Sequence, residues 1–157
     1  MKKQKGFSLI ELLIVVAIIL IIAAIAIPNL LKSKMAANES SAVGSIRTIN
    51  TGEVTYAAGC PNIGYSATLQ ELNTGATCAA GTNIIDNVLA TGAKSGYTFA
   101  YAAGAPDASG VVSTYTLTAV PTTVGTTGQR GFFSDQTGVI RYSLSGAAPT
   151  AASSALQ

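Results

Sequence analysis

Histidine is absent from this sequence. That one gap excludes Ser-His-Asp triads, histidine general bases and histidine-ligated metals. Charge is also scarce: Asp, Glu, Lys and Arg make up 10% of 157 residues, against 48% hydrophobic residues. With a mean hydropathy of +0.43, the composition points to a membrane-associated or exported chain, long enough for one modest domain. Basic patches are missing too. Lys2, Lys3 and Lys5 supply three of the nine basic residues, so beyond residue 6 there are six basic side chains and seven acidic ones. No basic stripe remains, and no nucleic-acid contact is expected. Cysteine is limited to Cys60 and Cys78, whose spacing fits no zinc or thioredoxin-like pattern. If that stretch lies outside the cytoplasm, a disulfide is expected. Closing such a loop contributes about 3 kcal/mol in the chain-entropy model. Two free thiols in a flexible loop are the alternative.

What the chain does have is concentrated at its start, "MKKQKGFSLIELLIVVAIILIIAAIAIPNLL". Phe7 to Ile27 is a 21-residue hydrophobic stretch, long enough as a helix to cross a bilayer core. The lysines before it favour a cytoplasmic N-terminus. Glu11 sits inside the stretch with no obvious partner. A plain transmembrane anchor explains the length and the lysines but not Glu11. A secretory signal peptide finds an A-x-A site at Ala24-Ile25-Ala26, but the apolar region is longer than the usual one and carries the acid.

Further along, Lys32 to Ala58 turns amphipathic. Val43, Ile46, Asn50, Val54 and Ala57 recur at steps of three and four, with Glu39, Arg47 and Glu53 largely on other sides. The expectation is one long helix from about Phe7 to about Ala58, kinked at Pro28. An irregular connection follows, with a helical turn near Thr68 to Leu72. A short helix is expected in "NIIDNVLATG", capped by Asn83 and ended by Gly92. After Ser95 the pattern becomes that of strands: "GYTFAYAAG", "VVSTYTLTAVP", "RGFFSD" and "GVIRYSL", with turn chemistry in "GAPDASG" and "DQTG". The fold class is thus α+β, a long N-terminal helix packed on about four antiparallel strands. The tail "SGAAPTAASSALQ" is unpatterned and expected to be disordered. Phe99, Phe132, Phe133 and the tyrosines are expected to serve sheet packing.

A basic leader ending in Gly6, Phe7 opening the apolar run, and an acid five residues into it resemble the prepilin signal of type IV pilins and of type II secretion pseudopilins. The resemblance is specific from Lys5 to about Pro28. It implies cleavage after Gly6 by a prepilin peptidase, N-methylation of Phe7 by the same enzyme, and retention of the helix. Residues 1–6 would be the leader, 7–31 the transmembrane and filament-core helix, and 32–157 the globular head. Glu11 would neutralise the Phe7 amine of a neighbouring copy, since a charge in hydrocarbon becomes tolerable when an opposite charge meets it.

The implied partners are copies of the same chain, the peptidase, an assembly platform, a motor ATPase and the cytoplasmic membrane before export to a surface filament. The segments "NESSAVGSIRTINTGEVTYA" and "GQRGFFSDQTGVIRYS" also look like major-pilin segments. Pseudopilins often bind calcium near the C-terminus, whereas here only Asp135 is acidic after Asp107, too few for a hard-cation cage. That favours a pilus over a secretion pseudopilus. No metal, cofactor or catalytic residue is expected. No aromatic residue lies between Phe7 and Tyr56, which gives no support to an aromatic electron-transfer stack. The formal glycosylation pattern Asn38-Glu39-Ser40 is weak. A secreted or anchored domain that never polymerises is the competing class.

Overall fold

The computed structural model describes residues 6–156. The chain divides into two compact units, Met1–Lys34 and Met35–Gln157. Helix α1, Leu9–Gly59, begins in the first and ends in the second. In the first unit the helix is apolar almost without interruption, and nearly every side chain is exposed. Helical assignment is continuous through Pro28, although proline offers no N–H to the Ala24 carbonyl. At the next residue, the Asn29 side-chain amide donates to the Ile25 carbonyl at 3.1 Å.

The second unit is built on a six-stranded antiparallel sheet in sequential order. Its strands are β1 (Ala93–Lys94), β2 (Tyr97–Ala103), β3 (Tyr115–Pro121), β4 (Gly131–Asp135), β5 (Arg141–Ser143) and β6 (Ser154–Ala155). Four are the strands expected from sequence. The other two are two-residue edge strands, too short to leave a periodic signal. Tyr97, Phe99 and Tyr101 on β2, Tyr115, Leu117 and Ala119 on β3, and Phe132 on β4 share one face by register. With Ala42, Ile46, Ile49 and Tyr56 of α1 they form the core. Burial of such large side chains supplies roughly 1.5–3 kcal/mol each.

Three expectations need correction. The buried stripe of α1 runs Glu39, Ala42, Ile46, Ile49, Glu53, Tyr56, a spacing of three and four that is rotated from the expected face. Val54 is 61% exposed, and the acids Glu39 and Glu53 point inward instead. The second correction concerns the connection. Its helices are α2, Glu71–Thr74, and α3, Asn87–Ala90. The α3 cap is Asp86, which accepts the Leu89 N–H at 2.8 Å, while Asn83 takes a left-handed φ of 58°. Gly92 does close the turn after α3, with φ 77°.

The third correction is the tail, which is ordered. Pro149 and Gly146 are buried, β6 pairs with β5, and the Leu156 N–H donates to the Ile140 carbonyl at 2.7 Å. Outward-facing Phe133 on β4 is only 7% exposed, and the tail's Pro149 passes close over neighbouring Gly131. A small-residue segment without periodicity can still order when it has an apolar surface to cover.

Candidate assembly site and the anchors of the head

Gly6, Phe7 and Ser8 precede the helix without regular structure, and Phe7 is 79% exposed. The lysines at 2, 3 and 5 lie outside the described residues. Glu11 occupies the first turn of α1, where the Ser8 N–H donates to its Oε2 at 2.8 Å. Ser8-Leu9-Ile10-Glu11 has the S-x-x-E spacing of a capping box and forms one half of it: the acid reaches back to a backbone donor that the helix cannot satisfy. A carboxylate near a helix N-terminus is also favoured by the helix dipole. The S-x-x-E spacing is the sequence signal for that contact. Beyond Glu11 the apolar side chains from Leu12 to Leu31 are mostly 41–71% exposed. This helix is long and apolar enough to cross a membrane by length and composition.

A family profile described as the prokaryotic N-terminal methylation motif matches residues 1–27. The chain is 60% identical over 40 residues to the type IV wide pilus major component PilA4 of Thermus thermophilus, covering 26% of this chain and 30% of that protein. It is 44% identical over 54 residues to the type IV major pilin protein PilA of Myxococcus xanthus, covering 34% of this chain and 24% of that one. The likeness to these type IV pilins is carried by the N-terminal part of the chain. It spans under a third of the length of these relatives in alignment, and no solved structure gives a significant match.

The sheet unit is pinned to the second half of α1 by polar anchors set in its apolar stripe. Glu39 accepts the N–H groups of Gln129 and Arg130 at 2.8 and 3.0 Å, and the Arg130 Nε at 2.7 Å. Burial pushes this carboxyl upward, but the bonds from Gln129 and Arg130 outweigh it and hold the group below its ordinary range. The Arg130 guanidinium in turn lies 5.6 Å from the Phe132 ring centre and 6.0 Å from that of Tyr142. Asn50 bridges helix and sheet, donating to Ser134 Oγ at 2.8 Å and accepting from the Tyr115 hydroxyl at 3.0 Å. The Asn38 amide, in the formal glycosylation triplet, donates to the Thr127 carbonyl at 2.8 Å and is half-buried. Tyr97 donates to the Arg130 carbonyl at 2.8 Å. Burial and the nearby Glu39 charge push its hydroxyl up to about 12.

Cys60 and Cys78 are joined, with Cα atoms 6.4 Å apart. The disulfide closes the connecting segment between α1 and the sheet. Inside that loop Glu71 accepts from the Ala67 N–H at 3.0 Å and from Thr77 Oγ1 at 2.6 Å. Gly81 lies so close to the Tyr56 ring that a Cβ there would come within 2.8 Å of it. Among the described residues no group of three or more Asp, Glu, Cys or His could hold a metal. The tyrosines and Phe99, Phe132 and Phe133 serve packing: Tyr65 meets Tyr115 edge-on at 4.9 Å, and Tyr101 stacks on Tyr115 at 5.7 Å. No local sequence signal marks the partners of Glu39 and Glu53, which lie 91 and 13 residues away.

Proposed function

We propose that this chain is the structural subunit of a type IV pilus-like filament. In this reading it is cut after Gly6, methylated on the Phe7 amine, held in the cytoplasmic membrane by residues 7–31, and then polymerised through the same helix. It works as a building block and not as a catalyst. The observation that carries the reading is the N-terminal half of α1, whose apolar side chains find no cover within the described chain. Such a surface needs lipid or other helices around it, and exchanging one for the other changes its environment little. Repeated contacts between unlike faces of identical copies do not close into a ring, so they extend into a fibre.

Glu11 supplies register. Its Oε2 is occupied by the Ser8 N–H, which orients the carboxylate at the helix end and leaves Oε1 to receive an amine. Cleavage would create that cation at Phe7, and a methylated secondary amine stays charged. A copy docked one turn out of place would leave both charges unpaired in hydrocarbon. Pro28 marks where the helix would bend as the subunit packs. The peptidase, platform and motor ATPase are the partners this pathway requires.

The test is Glu11→Ala in the native host. Processing should continue, giving a chain of mature mass, while electron microscopy of sheared cells should show no fibres. Fibres in wild-type number would remove the role assigned to Glu11.

A further inference from the structure

Two acids lie buried on the same face of α1 in unlike surroundings. Glu39 meets the guanidinium of Arg130. Glu53 is fully buried, and among the described residues no cation pairs with it. The titratable groups that face Glu53 are Tyr56 on α1, Glu71 on α2, Tyr101 on β2 and Tyr115 on β3. All are neutral or acidic. An ionised carboxylate desolvated in such company is strongly disfavoured.

The hydrogen bonds around it can be counted in protons. The Ser66 N–H donates to Glu53 Oε2 at 2.9 Å. Ser66 Oγ lies 2.6 Å from Glu53 Oε1 and 3.1 Å from the Thr68 carbonyl, which also accepts the Glu71 N–H at 3.1 Å. The Tyr101 hydroxyl lies 2.7 Å from the Ser66 carbonyl. Ser66 and Tyr101 bring one hydroxyl proton each to these O···O contacts, and a carbonyl can only accept. The single Ser66 hydroxyl proton thus faces two acceptors, Glu53 Oε1 and the Thr68 carbonyl. A proton on Glu53 would let Ser66 Oγ accept from Oε1 while donating to Thr68, so that both contacts are made at once.

We propose that Glu53 is a neutral carboxylic acid at neutral pH, donating Oε1–H to Ser66 Oγ, and that this proton latches the segment between Cys60 and Cys78 onto α1. Burial, only partly offset by the bonds from Ser66 and Tyr101, keeps the carboxyl above its ordinary value of 4.5. The folded chain thus holds this proton more tightly than the unfolded one. Its contribution to stability is full below 4.5 and falls as pH rises through the folded value. In alkali the Ser66 hydroxyl must turn from Thr68 to a carboxylate that is repelled by Glu71, and the latch loosens.

The full-length protein in detergent, labelled with ¹³C on glutamate carboxyls, gives four signals because the chain has four glutamates, Glu11, Glu39, Glu53 and Glu71. The signal linked through bonds to the Glu53 backbone should sit at the protonated-acid position at neutral pH and move to the carboxylate position only in alkali. A Glu53 signal already at the carboxylate position at neutral pH overturns the proposal, and this wild-type measurement needs no variant. Glu53→Gln keeps a donor and an acceptor in place, so it should lose the wild type's fall in unfolding midpoint between neutral and alkaline pH. An unchanged fall in that variant also overturns the proposal.

Discussion

Replacing Glu39 with alanine tests whether the head is held to α1 by a charged clamp or by apolar contact alone. The carboxylate takes three bonds, from the N–H of Gln129, the N–H of Arg130 and the Arg130 Nε, all within 3.0 Å. Stripping one partner from a fully buried pair costs about 3–5 kcal/mol. Arg130 is 37% exposed, so water resolvates its guanidinium, and its contacts with Phe132 and Tyr142 persist. Discounted for that screening, the expected loss is about 2–3 kcal/mol. Denaturant unfolding of the full-length protein in detergent, followed by tyrosine fluorescence, should show a lower midpoint with unchanged slope. Acid should then erase the difference. The folded carboxyl lies below its ordinary 4.5, so the clamp contributes above that value and is lost as pH falls through the folded one. A variant within about 0.5 kcal/mol of wild type at neutral pH, or a gap that does not narrow in acid, would refute the clamp.

Replacing both Cys60 and Cys78 with serine should lower stability by about 3 kcal/mol, read as a lower unfolding midpoint that reducing agent no longer changes. Gly81→Ala should cost roughly 1–3 kcal/mol, because its Cβ would press on the Tyr56 ring and the Glu71 carbonyl. Tyr97→Phe should cost about 1 kcal/mol by removing its bond to the Arg130 carbonyl. Deleting residues 145–157 should cost about 2 kcal/mol or more by uncovering Phe133, measured in the same unfolding assay and as increased binding of a hydrophobic dye.

The long helix, the four main strands and the Cys60–Cys78 pairing were legible because each leaves a local mark: an apolar run, a β-branched alternation, a lone pair of cysteines. The phase of α1 was not. Ranking residues by polarity placed Glu39 and Glu53 on the outer face, yet Ala42, Ile46, Ile49 and Tyr56 already marked a stripe into whose empty slots both acids fall. The acids point inward because of Arg130 and Ser66, and nothing near either acid in sequence announces a partner so distant or so neutral. The order of the tail is hidden from sequence for a related reason. Its order comes from pairing of β6 with β5 and the bond from the Leu156 N–H to the Ile140 carbonyl, contacts that leave no periodic mark in a small-residue segment. At the N-terminus the nearest partner of Glu11 is the Ser8 N–H, three residues away, a contact that the S-x-x-E spacing marks locally.

The account stands on an apolar helix that is trimmed yet retained in the assembled form. Intact-mass and N-terminal peptide analysis of fibres sheared from cells of the native host tests that directly. The expected product begins at Phe7, carries one methyl group on its amine and retains residues 7–31. A surface protein beginning at Ile27, or an unmethylated chain recovered only as monomer with the helix in place, would contradict it.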